Sequence, residues 1–148
     1  MTADSRPAFG KVALLGIGLI GSSLAHAMRR AGLAAHISGY ANQTETLEKA
    51  RAIGFADTLH DKPGPAARDA DLVVLATPVG AFGELAKEIA GDLKRGAILS
   101  DVGSVAPVTV CRHFNSHAVH GLSSMTVLLY DPSRCTQAAA ALLGYLLQ

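Results

Sequence analysis

Tryptophan is absent from the 148 residues and aromatic side chains make up only 5% of them, so large rings cannot build the interior. The core has to come from Ala, Val, Leu and Ile, the residues that fill buried parallel sheets. Charge of one sign is equally scarce: 13 Lys and Arg stand against 12 Asp and Glu, interspersed, for a formal net charge of +1. No basic stripe recommends nucleic acid, and no polybasic run recommends a membrane surface. The two cysteines, Cys111 and Cys135, belong to no CxxC pair, and a reduced cytoplasmic setting is the simpler reading. The apolar stretch 12–20 is short, is broken by Gly16 and Gly18, and lacks a small-residue cleavage site; it reads as neither a membrane span nor a signal peptide. Internal repeats and low-complexity tracts are also missing.

What is present suits one domain. Hydrophobic residues reach 49% and charged ones 17%, enough apolar material for a well-filled core. After a polar lead-in over 1–10, residues 11–16 form a short apolar run ending at glycine, as a central buried strand would. From Leu19 the period becomes helical, with Ile20, Leu24, Ala27, Met28 and Ala31 on one face and Gly32 closing the helix. Residues 36–40 read as a second strand, then Thr44 as the N-cap of a helix through Ile53 with Gly54 as its stop. A brief strand within 55–60 precedes a Pro63-Gly64-Pro65 turn. Residues 71–76 are the clearest strand. Pro78 follows near a helix start, Phe82, Leu85, Ala86, Ile89 and Leu93 make that helix's buried stripe, and Gly96 ends it before a strand at 97–101. This rhythm predicts an α/β fold: a doubly wound, mostly parallel sheet of the Rossmann NAD(P)-binding type, with helices on both faces. Past Ser104 the periodicity degrades; 125–130 reads as a last strand and 132–148 as an Ala/Leu-rich helix.

Gly16-Ile17-Gly18-Leu19-Ile20-Gly21 is a G-x-G-x-x-G run between a predicted strand and a predicted helix, the placement that gives the motif its force. Gly16 permits the tight turn, Gly18 lets backbone approach a pyrophosphate, and Gly21 lets helix and strand pack closely. The first-turn N–H groups, including those of Leu19 and Ile20, then face the phosphates. About 20 residues on, a carboxylate is expected to meet the ribose 2′-hydroxyl. Here the run is Tyr40-Ala41-Asn42-Gln43-Thr44, with no acid and no arginine. Without an acid to repel a 2′-phosphate, the reading leans slightly to NADP over NAD, with Ala41, Asn42 and Thr44 around the ribose. Ala76-Thr77-Pro78 ends a strand on the carboxyl edge and should line the dinucleotide cleft, Thr77 also serving as an N-cap. Asp101 and Ser104 end the next strand at the same edge.

Residues 18–25 (Gly-Leu-Ile-Gly-Ser-Ser-Leu-Ala), Gly39-Tyr40, Ala-Thr-Pro-Val at 76–79 and Asp-Val-Gly-Ser-Val at 101–105 together resemble the cofactor domain of prephenate/arogenate (cyclohexadienyl) dehydrogenases. The likeness covers about residues 10–105, with 106–148 a divergent tail of one domain spanning 1–148. It implies an NAD(P)-dependent oxidoreductase of tyrosine biosynthesis. Its small-molecule substrate would be prephenate or arogenate; a hydride leaves the ring carbon bearing the hydroxyl, carbon dioxide departs, and the ring becomes aromatic. It further implies that Ser104 holds substrate and that a histidine receives the hydroxyl proton, and it leaves a homodimer open; composition favours the cytoplasm, without nucleic acid or membrane partners.

The chain departs from the family pattern in three places. Ala106 replaces a lysine, and His117-Ala-Val-His-Gly121 is the nearest echo of a His-Pro-x-Ala-Gly motif, which makes His117 the candidate catalytic histidine. The chain also stops at Gln148, before the helical C-terminal domain that the resemblance implies; the expectation is a truncated chain of doubtful activity alone, with a frame change after Val105 or a short paralogue as readings that look the same. Two further readings stay open. His113, His117 and His120 could be loop histidines, or three metal ligands on one helix face, although nothing nearby completes such a site and the expectation is no metal. The chain as a whole could instead be a non-catalytic NAD(P)-binding module or a fragment of another Rossmann dehydrogenase.

Overall fold

A computed structural model describes residues 6–102, together with the backbone of 118–122 and 125–129. Seven strands form one sheet in the order β3-β2-β1-β4-β5-β7-β6. Five are parallel: β1 (Phe9–Leu15), β2 (Ala34–Tyr40), β3 (Thr58–His60), β4 (Leu72–Leu75) and β5 (Ile98–Asp101). β7 (Met125–Leu129) pairs antiparallel with β5, and β6 (Ala118–Leu122) antiparallel with β7. Helices α1 (Leu19–Arg30), α2 (Thr44–Ile53), α3 (Pro63–Ala67) and α4 (Phe82–Ile89) connect the parallel strands. The expected doubly wound, mostly parallel sheet is what forms.

Strand alternation divides the core into two layers. In β1, Val12 and Leu14 join Ile37, Ala25, Met28, Leu47 and Ala50 on the α1–α2 side, while Ala13 and Leu15 join Ala66, Phe82, Leu85 and Ile89 on the α3–α4 side. β4 splits in the same way, Leu72 and Val74 one way and Val73 and Leu75 the other. A strand covered on both faces has no polar position to spare, hence the unbroken apolar runs that marked β1 and β4 in the sequence.

Several local expectations shift. The buried line of α1 is Gly21, Ala25 and Met28, not the stripe through Ile20 and Ala31; Ile20 is 56% exposed. At Gly21 the helix lies too close to the Gly16 turn for any side chain, while Met28, two turns on, has room to be buried. Gly32 (φ 63°) does close α1, and Gly54 (φ 76°) does close α2. Thr44 is the first residue of α2 and Gln43 its cap, without a side-chain hydrogen bond. Pro63-Gly64-Pro65 begins the short helix α3 rather than a turn, Pro63 serving at its first position where a missing N–H costs nothing. α4 stops at Ile89, well before Gly96, whose φ of 84° belongs to the turn into β5. β1 and β2 both begin earlier than expected, at Phe9 and Ala34. His120 lies on strand β6, so three histidines on one helix face is not the arrangement here. The predicted helix over 132–148, both cysteines, His113, Ser104 and His117 lie outside the described residues. Among the described residues no helix is long and apolar enough to cross a membrane.

Ion pairs gather where the parallel strands begin. Asp71, just before β4, accepts the Lys11 N–H at 2.9 Å and pairs with Lys94. Asp57, just before β3, accepts the Ile37 N–H at 2.7 Å and pairs with Arg29 at 2.8 Å. Partial burial works against ionisation of both carboxyls, but these donors outweigh it and hold each below the ordinary aspartate range. A group whose folded-state pKa is depressed stabilises the fold above its unfolded value, about 3.9, and loses that contribution as pH falls through the folded value. Urea unfolding should therefore show stability falling below about pH 4. Asp71→Asn should be about 1–3 kcal/mol less stable at neutral pH and lose less of its stability on acidification.

Candidate functional site

The paired strands put the carboxyl ends of all five parallel strands in one row: His60 beside Tyr40, Tyr40 beside Leu15, Leu15 beside Leu75, and Leu75 beside Asp101. From β1 the chain winds outward to β2 and β3, then returns to the other side of β1 to place β4 and β5. The reversal falls between β1 and β4, and in sheets of this kind the crevice at that point is where ligands bind.

Three glycines shape that crevice in three different ways. Gly16 follows β1 at φ 104°, and a Cβ there would meet the backbone of Ala76 at 2.7 Å and Thr77 Cγ2 at 2.8 Å. A Cβ on Gly21 would lie 2.0 Å from the Gly16 carbonyl oxygen and 3.6 Å from Ala76 Cβ. Around Gly18 nothing stands within 4 Å of the same construction. So two of the glycines let α1 close onto the turn and onto the end of β4, and the third faces open space. The tight turn at Gly16 and the close packing at Gly21 are the geometry their places in the motif implied.

Gly18 caps α1 without a side chain, and no acid occupies the first turn. Ser22 and Ser23 turn their hydroxyls back to the carbonyls of Gly18 (2.7 Å) and Leu19 (2.6 Å). The N–H groups of Leu19, Ile20 and Gly21 have no partner among the described residues. Bare amides and the helix dipole make this end attractive to an anion. Beside it stand apolar side chains in the open: Leu19 is 90% exposed, Ile20 56%, and Val79, past the end of β4, 39%.

At the end of β2, Ala41 is buried while Asn42, Gln43 and Thr44 are exposed. Burial, reinforced by Glu88, raises the Tyr40 phenol above its usual range, so it stays neutral. Burial also lowers His60, aided by Lys11 and His36 against Asp61. Past β4, Pro78 caps a 3₁₀ turn over Val79–Ala81, and Ala81 caps α4. Thr77 makes no capping bond, contrary to expectation, and its Oγ1 is buried with no partner among the described residues. Asp101 is buried at the end of β5. Gly16, Gly18, Leu19, Ile20 and Gly21 thus follow the carboxyl end of β1, Ala76, Thr77 and Pro78 that of β4 and Ala41, Asn42 and Thr44 that of β2, while Asp101 ends β5. Ser104 and His117 are not among the described residues.

Sequence reading missed Ile17 and Val79. Ile17 is buried and fits against Gly39, where a Cβ would meet its Cγ2 at 3.0 Å; a glycine in mid-strand was the available signal. Nothing in the local sequence marks Val79 as exposed.

A family model described as the prephenate dehydrogenase nucleotide-binding domain matches residues 24–124. The chain belongs to this family. Among curated relatives, the cyclohexadienyl dehydrogenase of Zymomonas mobilis is 39% identical over 97 residues, covering 66% of this chain and 33% of that protein. The prephenate dehydrogenase of Lactococcus lactis is 36% identical over 95 residues, covering 64% and 26%. The chain thus spans a third or less of the length of the curated relatives it matches. Among solved structures, prephenate dehydrogenase from Aquifex aeolicus, in complex with hydroxyphenyl propionate and NAD+, superposes with a TM-score of 0.64 at 28% identity over 79% of this chain and 44% of that one. Synechocystis arogenate dehydrogenase shares the fold, with a TM-score of 0.70 at 23% identity over 92% of this chain and 55% of that one.

The glycine contacts can be tested directly. Gly21→Ala should cost about 3 kcal/mol or more, since the Gly16 carbonyl oxygen must move. Gly18→Ala, at a helix cap with open space around it, should stay within about 1 kcal/mol of the parent. Thermal unfolding of both variants measures the contrast.

Proposed function

We propose that the chain binds a nicotinamide dinucleotide across the β1–β4 crevice and serves the hydride-transfer reaction of prephenate/arogenate dehydrogenases. One observation carries the reading: an unblocked turn at Gly18, followed by unpaired amides of α1, lies where the sheet reverses its winding. The residues fit the group. Gly16, Gly18, Leu19, Ile20 and Gly21 would hold the diphosphate, Ala41, Asn42 and Thr44 the adenosine ribose, and Ala76, Thr77, Pro78 and Asp101 the nicotinamide side. Leu19, Ile20 and Val79 would exchange exposure to water for contact with the ligand's apolar surface, a gain of roughly 25 cal/mol for each Å² covered.

When bound, the nicotinamide supplies a hydride acceptor. The chain's own part is to position the ring carbon bearing the hydroxyl, hold the substrate through Ser104, and take the hydroxyl proton on His117 as carbon dioxide leaves. Prephenate or arogenate is the substrate, and the cytoplasm and a homodimer are the setting that the family relationship supports. NADP is the favoured cofactor: Ala41 stands where a carboxylate would repel a 2′-phosphate, and Asn42 and Thr44 are exposed beside it.

Calorimetric titration should give a dissociation constant for NADP+ no weaker than that for NAD+; tenfold tighter binding of NAD+, about 1.4 kcal/mol, would overturn the preference. At about 100 times its dissociation constant the cofactor should stabilise the chain by about 2.7 kcal/mol, and Gly18→Ala should remove most of that gain. If the chain oxidises prephenate or arogenate, followed by the absorbance of reduced nicotinamide, His117→Asn should slow turnover by roughly 10²- to 10⁴-fold with cofactor affinity unchanged. A variant that turns over normally rules out His117 as the base.

A further inference from the structure

Thr77 spends its side chain oddly. Its methyl group faces the β1–α1 turn, with Cγ2 2.8 Å from where a Gly16 Cβ would be, while its hydroxyl oxygen is sealed from water and has no partner among the described residues. The other such atom among the described residues, Ser38 Oγ, lies within β2 and away from the crevice. A buried hydroxyl without a partner costs stability, and valine would give the same shape without that cost. The neighbouring backbone does not use the hydroxyl either: the 3₁₀ turn at 79–81 has no side-chain cap, although threonine is suited to capping.

We propose that the Thr77 hydroxyl is held in reserve for the ligand, unpaired in the free protein and hydrogen-bonded only when the crevice is filled. Its position, between the Gly16 turn and the first residues past β4, gives it that access. On binding, a ligand hydroxyl or amide that reached the sealed oxygen, or drew it out by rotation about χ1 at the cost of the methyl's packing on the Gly16 turn, would be a suitable partner for it. Thr77 then acts as a positioning residue that links occupancy of the site to stability: the free chain is weakened by the unpaired group, and binding relieves the deficit. The inference rests on the dinucleotide reading above and extends it to the energetics of one side chain.

Thr77→Val and Thr77→Ser, made in the full chain, separate this role from a structural one. Without nucleotide, Thr77→Val should unfold about 2–5 °C higher than the parent. Its dissociation constant for NADP+ should be weaker by about 3- to 10-fold. Thr77→Ser, which keeps the hydroxyl, should bind within about twofold of the parent. A residue that merely packs would lose stability in the valine variant or leave affinity untouched, and either result overturns the proposal. If the parent chain binds neither NADP+ nor NAD+, the dinucleotide reading itself fails. That outcome is distinct from a parent that binds and a valine variant that binds equally well.

Discussion

The carbonyl oxygen of Gly16 lies 2.0 Å from where a side chain on residue 21 would begin, and α1 can stand where it does only because no side chain is there. From that approach the rest of the crevice follows. The same closeness turns Gly21, Ala25 and Met28 towards the sheet and leaves Leu19 and Ile20 in solvent. It also sets the first turn of α1 against the Gly16 turn, with Gly21 close to Ala76 at the end of β4. A helix set further from the sheet would have room for larger residues, but its dipole would no longer be aimed into the opening between β1 and β4.

The two ends of the sheet are built on opposite principles. Where the strands begin, Asp57 and Asp71 each accept a backbone N–H and pair with a cation, tying β2 to β3 and β1 to β4. Where they end, the crevice is lined by glycines, bare amides, exposed aliphatic side chains and one unpaired hydroxyl. Among the described residues, charge pairing thus gathers where the strands begin, and unmet interactions gather at the end suited to a ligand. Binding sites are commonly drawn from the less stabilised parts of a fold.

Much of this was legible in the sequence, for identifiable reasons. β1 and β4 announced themselves because strands buried on both faces carry unbroken apolar runs, and the glycine run fell between a strand and a helix, where each glycine has a separate geometric duty. The helix stripes were less legible. Apolar periodicity favoured Ile20 as a buried position because the pattern registers hydrophobicity but not the distance between a helix and its sheet. Pro63-Gly64-Pro65 was read as a turn because local chemistry favours one; in the fold, Pro63, Gly64, Ala66 and Ala67 are buried as helix α3 between the sheet and α4. Thr77 looked like a helix cap, and only the location of the 3₁₀ turn left its hydroxyl unused.

By itself, then, the sequence determined the alternation of strand and helix, the phosphate-type turn and the missing carboxylate after β2, all properties of residues close together in the chain. Tertiary structure alone decided the row of strand ends, the contact of Gly16 with Ala76 and Thr77, the exposure of Leu19, Ile20 and Val79, and the isolation of the Thr77 hydroxyl. These depend on segments some sixty residues apart meeting at van der Waals distance, and periodicity carries no information about such a meeting.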